Sequence, residues 1–312
     1  MHGKRIVVTG GAGFIGSNLA EALCEENDVA VLDDLSTGRI ENISHLVKSK
    51  KIEFVKGSIT DFKLMNRVMK GADYVFHEAA IVSVPYSVSN PRVTAEVNIS
   101  GTLNLLTLAR DCGVKKAVFA SSCAVYGDLP GLPKREEMPT MPLSPYALTK
   151  LAGEHYCRLF TELYGLKTVS LRYFNVFGPK QDPKSEYAAV IPRFITSALS
   201  GKPLTIHGNG EQTRDFTFVK DVVRANLLAA ESDAKGAFNI AGGKRISVND
   251  MAKAVLKITG SKSQIGYDSA RTGDVKHSLA DTTKAKEAFG WMPKYALEWG
   301  LKETAEFFGK PK

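Results

Sequence analysis

Short β-branched apolar runs alternate with segments of helical period through the first half of the chain. Residues 5–9, 29–32, 52–56, 74–77, 117–121 and 168–172 read as buried strands. Between them, residues 15–26 and 93–111 repeat apolar positions at three- and four-residue spacing, as amphipathic helices do. Strand, helix, strand at this spacing requires right-handed crossovers, and so a parallel sheet covered on both faces. After Asn175 the rhythm breaks, and Pro179, Pro183, Pro192, Pro203, Gly208 and Gly210 punctuate shorter elements. Residues 238–241 read as one more buried strand that returns to the first sheet. The expectation is an α/β chain. A doubly wound parallel sheet occupies residues 1–175, rejoined by a segment near 219–241, and a smaller mixed α/β substrate domain takes most of 176–312.

Composition narrows the class without naming a chemistry. With 312 residues, 44% of them apolar and 24% charged, the chain has the make-up of an ordinary globular protein, which excludes collagen, disulfide scaffolds and disorder. No stretch of about 18 uncharged apolar residues exists to span a bilayer, and the N-terminal apolar run is too short for a signal peptide. Cys24, Cys112, Cys123 and Cys157 show neither paired nor metal-like spacing, which points to a reducing cytoplasm. The six histidines have no metal spacing either, so no metal is expected.

The formal net charge is +8. Residues 1–175 carry an excess of two positive charges and residues 176–312 an excess of six. The densest cluster is only Lys48, Lys50 and Lys51, and no nucleic-acid-binding signature accompanies it. The balance therefore suits a small polyanion rather than nucleic acid.

Gly10, Gly13 and Gly16 join the first strand to a helix with G-x-x-G-x-x-G spacing. Such a turn must be tight, must let a pyrophosphate approach the backbone, and must let the helix pack close to the strand. The free N–H groups at the helix start then face the phosphates. The second strand ends at Asp33-Asp34, where a carboxylate accepts from ribose hydroxyls and repels a 2′-phosphate. Arg39 is near but not adjacent, so NAD is expected over NADP.

Tyr146 and Lys150 form a Y-x-x-x-K pair just after Ser144-Pro145, and the four-residue step puts both on one helix face. An ammonium beside a phenol favours the phenolate, so Lys150 is expected to lower the Tyr146 pKa and make it a general acid/base. Ser122 follows a predicted strand, at the end of the sheet where ligands bind in open parallel sheets. A hydroxyl, a tuned phenol and a dinucleotide at one crevice spell hydride transfer at an alcohol carbon.

These motifs, with residues 98–102, 172–179 and 214–216, resemble the extended short-chain dehydrogenase/reductases, and among them the nucleotide-sugar 4-epimerases, over essentially the whole chain. The resemblance implies a Rossmann-like NAD domain that keeps its cofactor through the cycle. Tyr146 would take the sugar 4-hydroxyl proton, Ser122 would hydrogen-bond the same oxygen, and Lys150 would bind the nicotinamide ribose. Phe14, Ile15, Ile59, Ala79, Ala80, Asn98 and Tyr173 would join the glycines, Asp33 and Asp34 around NAD.

Absences discriminate among relatives. Sugar dehydratases need an Asp-Glu pair where this chain has Cys123-Ala124, and the decarboxylases usually carry a Glu at the Ala124 position. Another NAD-dependent nucleotide-sugar oxidoreductase or decarboxylase remains the alternative. A purely binding protein would be expected to have lost Tyr146 or Lys150. The resemblance assigns Arg214 and Arg271 to the substrate diphosphate, a fork-to-phosphate match. It assigns Asn175 to the same group, Asp274 to the uridine ribose, and Ala189, Val190 and His207 to the uracil surroundings. Ser83 and Cys123 complete the substrate set.

Ser278 stands where galactose-restricted relatives have a tyrosine, leaving volume for an N-acetyl group. The expected reaction is therefore C4 epimerisation of UDP-GlcNAc/UDP-GalNAc, with UDP-Glc/UDP-Gal in addition, by transient hydride transfer through a 4-keto sugar. Two departures from the family are visible. Ser58 replaces the aspartate that meets adenine, and is expected to accept one hydrogen bond. Glu78 replaces a usually apolar residue and is expected to point outward with no role. The helices at 93–111 and 144–164 carry apolar stripes that in relatives pair as a four-helix bundle, so a homodimer is expected.

Overall fold

The computed structural model describes residues 1–183, 190–269 and 276–310. The chain opens with β1 (Arg5–Thr9), α1 (Phe14–Leu23), β2 (Asp28–Asp33), α2 (Ser44–Lys48), β3 (Ile52–Lys56), α3 (Phe62–Met69) and β4 (Tyr74–His77). It continues through α4 (Val84–Ser89), α5 (Pro91–Ala95), α6 (Gly101–Asp111), β5 (Lys116–Ser122), α7 (Pro145–Tyr164) and β6 (Thr168–Tyr173). The elements then shorten: β7 (Val176–Phe177), α8 (Val190–Leu199), β8 (Leu204–His207), β9 (Thr213–Asp215) and β10 (Thr217–Phe218). After α9 (Val219–Glu231) and β11 (Gly236–Ile240) come β12 (Arg245–Ser247), α10 (Val248–Thr259), β13 (Ile265–Asp268), α11 (Thr283–Phe289) and α12 (Leu297–Gly309).

Seven strands form one parallel sheet in the order β11-β6-β5-β4-β1-β2-β3. Alternate residues of its strands enter different cores. Ile6 and Val8 join one cluster with Val29, Val31 and Phe76, while Val7, Ala30 and Leu32 join another with Leu105, Phe119 and Phe160. Burial on both faces is why these strands read as continuous apolar runs. The strand expected to return does so: β11 pairs in parallel with β6, matching Phe238 to Leu171. Trp291 and Ala285 of the C-terminal segment also belong to the first cluster. A third cluster, built on Phe177, Ile191, Phe194, Ile206, Met251 and Leu301, holds the remainder together.

The helix expected over 93–111 is not uniform. Glu96–Ser100 is a π turn between α5 and α6, with helical dihedrals at the junction. Inside this turn Asn98 faces inward and clamps another loop, as described below.

The chain builds β1, β2 and β3 outward on one side and then crosses to lay β4 on the other side of β1. That reversal opens a crevice at the carboxyl ends of β1 and β4. It gathers the Gly10 turn after β1, Glu78 to Ala80 after β4, Ser122 at the end of β5 and Tyr173 at the end of β6.

Candidate active site

The glycine turn is as tight as its spacing requires. Gly10 has φ +68, and a Cβ there would lie 2.6 Å from the Ala79 amide nitrogen of the neighbouring turn. A Cβ on Gly16 would overlap the Gly10 carbonyl oxygen and stand 2.8 Å from Gly10 C and Gly11 Cα. No side chain caps α1 at Gly13, so the first-turn amides of Phe14, Ile15 and Gly16 have no carbonyl one turn back inside the helix. An open helix start beside side-chain-free backbone fits a dinucleotide pyrophosphate.

Asp33 ends β2 and is 7% exposed. Its carboxylate accepts from the Ala12 amide at 2.9 Å and the Leu35 amide at 2.8 Å, so it braces the glycine turn as well as facing the crevice. Burial raises its pKa against those hydrogen bonds. Gly38 lets the chain pass close by, since a Cβ there would stand 2.6 Å from Asp33 Oδ1. Asp34 instead turns outward and accepts from the Ser36 amide at 2.9 Å. Arg39 is drawn away to Asp182, 2.6 Å from its Nη2. These residues fit NAD, whose ribose diol would meet Asp33 and whose pyrophosphate would meet the α1 start.

Ser122, Tyr146 and Lys150 come together at the carboxyl end of β5. Ser144 caps α7 by accepting from the Ala147 amide at 3.2 Å, and Pro145 takes the first helical position. The Tyr146 amide donates to Ser87 Oγ at 3.1 Å, a fully buried anchor from α4 that the sequence analysis missed. Ser122 Oγ accepts from the Ala124 amide at 3.2 Å, and its side chain stands beside the Tyr146 phenol. Lys150, 4% exposed, donates to the Ala120 carbonyl at 2.7 Å, with its Nζ 5.1 Å from the centre of the Phe119 ring.

The phenol is not tuned as expected. Burial pushes Tyr146 up to about 12, opposed by the Ser122 side chain. The four-residue step does set a common helix face. However, the lysine runs on to the sheet, where α7 packs so closely that a Cβ on Gly153 would press on the Phe119 ring at 2.7 Å. Lys150 itself is pushed down to about 8 by burial, with Glu78 opposing.

Glu78 corrects a second expectation. It points inward: its Oε1 accepts from the Tyr173 hydroxyl at 2.9 Å, and the same hydroxyl accepts from Asn226 Nδ2 at 2.8 Å. Burial pushes Glu78 up to about 7, against the Tyr173 hydrogen bond and the Lys150 charge. Burial also holds the Tyr173 phenol well above its ordinary value. Asn226 lies on α9, 53 residues beyond Tyr173, which put this contact outside any local pattern.

Asn98 is spent on structure rather than open to a ligand. Its Nδ2 donates to the Ile81 carbonyl at 2.9 Å and Thr149 Oγ1 at 3.0 Å, and its Oδ1 accepts from the Ile81 amide at 2.8 Å. It thereby ties the loop of Ala79 and Ala80 to α7. Ile59 is buried beneath Gly101. Ser58 is engaged with Thr60, accepting from its amide at 3.2 Å and pairing with its hydroxyl at 2.9 Å. Beneath the serines, Arg172 grips Glu154 through two bonds of 2.8 and 2.7 Å, a buried pair that also takes a bond from Ser121.

On the substrate side, Cys123, Asn175 and Ser278 converge. Burial pushes the Cys123 thiol up to about 11, opposed by the neighbouring Asn175 amide. Asn175 has φ +33, and its Nδ2 donates to the Asp215 carbonyl at 3.2 Å and Ser278 Oγ at 3.4 Å. The charge of Arg214 reaches Cys123, and its Nη1 donates to the Thr213 carbonyl at 3.0 Å and the Lys276 carbonyl at 3.3 Å. Ser83 caps α4 by accepting from the Tyr86 amide at 3.2 Å. Val190 begins α8, and His207 ends β8 with its carbonyl held by Gln212. Ala189, Arg271 and Asp274 lie outside the described residues.

Residues 6–241 match the sequence profile of the NAD dependent epimerase/dehydratase family. The chain is 42% identical over 305 residues to a putative UDP-glucose 4-epimerase of Methanocaldococcus jannaschii, covering 97% of each. Its structure is similar to that of a UDP-N-acetylglucosamine 4-epimerase from Methanobrevibacter ruminantium in complex with UDP-N-acetylmuramic acid, at TM-score 0.95 and 42% identity, covering 99% of each chain. It is also similar to a Thermus thermophilus UDP-glucose 4-epimerase in complex with NAD, at TM-score 0.89 and 39% identity, covering 97% of this chain and 98% of that one.

Proposed function

This chain belongs to the NAD dependent epimerase/dehydratase family, and on that premise we propose that it interconverts UDP-hexoses at C4, UDP-GlcNAc with UDP-GalNAc first among them and UDP-Glc with UDP-Gal besides. The observation that carries the reading is the placement of Ser122 and Tyr146 side by side at the carboxyl end of β5, beside Cys123-Ala124. That pair manages a proton on a sugar hydroxyl. Cys123 and Ala124 supply neither the acid nor the base that elimination of water would need.

When bound, NAD supplies the oxidant for C4 and then the reductant, through a 4-keto sugar, so the carbon changes configuration without net oxidation. Gly10, Gly13 and Gly16, with the amides of Phe14 and Ile15, would hold its pyrophosphate, and Asp33 its adenosine ribose. Tyr146 Oη accepts the 4-hydroxyl proton and later returns it. Ser122 Oγ holds the same oxygen in line, and the positive charge of Lys150 stabilises the deprotonated phenol once ligands order the crevice. Arg214, with Arg271, would clasp the diphosphate. The small Ser278 beside Asn175 leaves room for a 2-acetamido group.

Residues 176–312 serve mostly as the nucleotide-sugar lobe on a dinucleotide-binding body of residues 1–175. Leu148, Leu163 and Tyr164 of α7 and Val93 of α5 expose apolar surface at 55%, 67%, 51% and 44%. Paired with its symmetry mate, this face would close a four-helix bundle in a homodimer. Light scattering giving only about 34 kDa, the mass of one chain, would end that part of the reading. The four cysteines are free, which suits the cytoplasm.

The deciding experiment incubates the protein with UDP-GlcNAc, without added NAD, and follows C4 stereochemistry by NMR. Interconversion with no accumulating NADH is expected, and Tyr146→Phe should lose at least about 100-fold in kcat while retaining NAD. No reaction with any UDP-hexose would overturn the proposal.

A further inference from the structure

Glu78 is a buried carboxyl in the crevice that the mechanism above leaves without work. We propose that Glu78 is the counter-charge of Lys150, a positioning residue that favours the ammonium form of the catalytic lysine in a buried site. The inference rests on the epimerase reading for its consequence but not for its test.

Strand register and helix packing bring the two residues to the same edge of the sheet. His77 of β4 pairs with Phe119 of β5, so the next residues, Glu78 and Ala120, stand side by side at the carboxyl edge of the sheet. Lys150 reaches that edge from α7 and donates to the Ala120 carbonyl at 2.7 Å. Tyr173 reaches it from β6, and its hydroxyl fixes Glu78 Oε1 at 2.9 Å, while Asn226 of α9 fixes Tyr173 in turn. The carboxyl is thus held inward by a chain of two hydrogen bonds.

A buried ammonium needs an opposite charge, because a carbonyl and an aromatic face do not repay its lost hydration. Glu154 lies one turn along α7 from Lys150, but both of its oxygens are committed to Arg172. From β4, His77 faces the lysine as a neutral ring, since burial and the Lys150 charge hold it down to about 3. From β5 and α7, Ser122, Tyr146 and Cys157 carry no charge at neutral pH, burial having raised both the phenol and the Cys157 thiol to about 12. Tyr173 on β6 is likewise neutral. Among the described residues, the carboxylate whose charge acts on Lys150 is Glu78, and the effect is reciprocal.

The test follows the Lys150 ammonium itself. The holoenzyme is labelled with 13Cε-lysine, the Lys150 signal is assigned by its loss in Lys150→Met, and its titration is recorded in the wild type, Glu78→Gln and Glu78→Asp. Glutamine keeps an acceptor for Tyr173 and removes only charge. The Lys150 midpoint should fall by about one pH unit in Glu78→Gln and stay near the wild-type value in Glu78→Asp. The alkaline limb of kcat should move with it, at unchanged NAD content. A midpoint unmoved in Glu78→Gln, or moved equally by Glu78→Asp, overturns the proposal. Should Glu78→Gln not fold, 13Cδ-glutamate labelling decides by the reciprocal arm: Lys150→Met must raise the Glu78 midpoint, and its failure to do so also overturns the proposal. These titrations need no turnover, so a wild-type enzyme inert to every UDP-hexose would sink the epimerase reading separately.

Discussion

Gly16→Ala asks whether the first helix is pressed against the glycine turn because a cofactor needs it there. The new Cβ would overlap the Gly10 carbonyl oxygen and stand 2.8 Å from Gly10 C and Gly11 Cα. Carbon atoms rest at about 3.5–4.0 Å, so the start of α1 must retreat from β1 by about 1 Å. Every atom in the clash is backbone, and no side chain can swing aside. Overpacking of this kind costs about 1–3 kcal/mol, and the retreat carries the first-turn amides away from the position a pyrophosphate would occupy. NAD affinity should therefore fall by about tenfold or more, since tenfold is only about 1.4 kcal/mol.

The control is Gly71→Ala. Gly71 has φ +73 but open space around its Cβ, and it precedes β4, at the end of the sheet away from the crevice. Forcing alanine into the left-handed region costs about 1–2 kcal/mol, a similar loss of stability with nothing moved at the turn. The measurement is NAD released per chain on denaturation, by chromatography, beside the melting temperature. Both variants should melt a few degrees lower, and only Gly16→Ala should emerge depleted of NAD. Equal NAD content in the two variants would refute the reasoning, for the close packing would then be a matter of stability alone.

Ser278→Tyr should cut kcat/KM for UDP-GlcNAc at least about tenfold and spare UDP-Glc, read from initial rates on both; equal losses would contradict the pocket argument. Glu154→Gln leaves Arg172 buried and uncompensated, and should lower the unfolding free energy by about 3–5 kcal/mol in urea titrations. His77 bridges Thr9 Oγ1 at 2.8 Å and Thr102 Oγ1 at 2.9 Å, and burial holds it at about 3 against an ordinary 6.5. Its folded pKa lies below its unfolded one, so its contribution is complete above pH 6.5 and is lost as pH falls toward 3. The wild type should lose about 2 kcal/mol more than His77→Gln between pH 7 and 5, from urea midpoints at both.

What the sequence made legible is what chain-local geometry decides. Glycine spacing shows that a helix start lies against a strand end, because Gly13 and Gly16 answer contacts with the backbone of Gly10 and Gly11. Tyr146 and Lys150 share a helix face because four residues make a turn. Depth is different. Whether Lys150 stops beside the phenol or runs to Ala120 depends on Gly153 admitting the Phe119 ring, a contact between elements far apart in sequence. The sign of the Tyr146 shift follows from depth, and local spacing gave the opposite one. Only the family resemblance places Asn98 around NAD; the residues that occupy it, Ile81 and Thr149, belong to another loop and another helix.

Glu78 shows the limit most clearly. In a strand exposed on one face, alternation would say which way a charged residue points. β4 is buried on both faces, so alternation carries no such information, and an acidic residue one step past its end looks like a side chain leaving for solvent. Its direction is set by a phenol from β6 and an amide from α9, which meet it because β6, β5 and β4 lie side by side in the sheet. In sheets of this kind, polar residues just past the carboxyl ends of the central strands are better read as facing the crevice until an acceptor or donor elsewhere shows otherwise. The crossover places helix starts and incoming side chains on that side, where open parallel sheets bind their ligands.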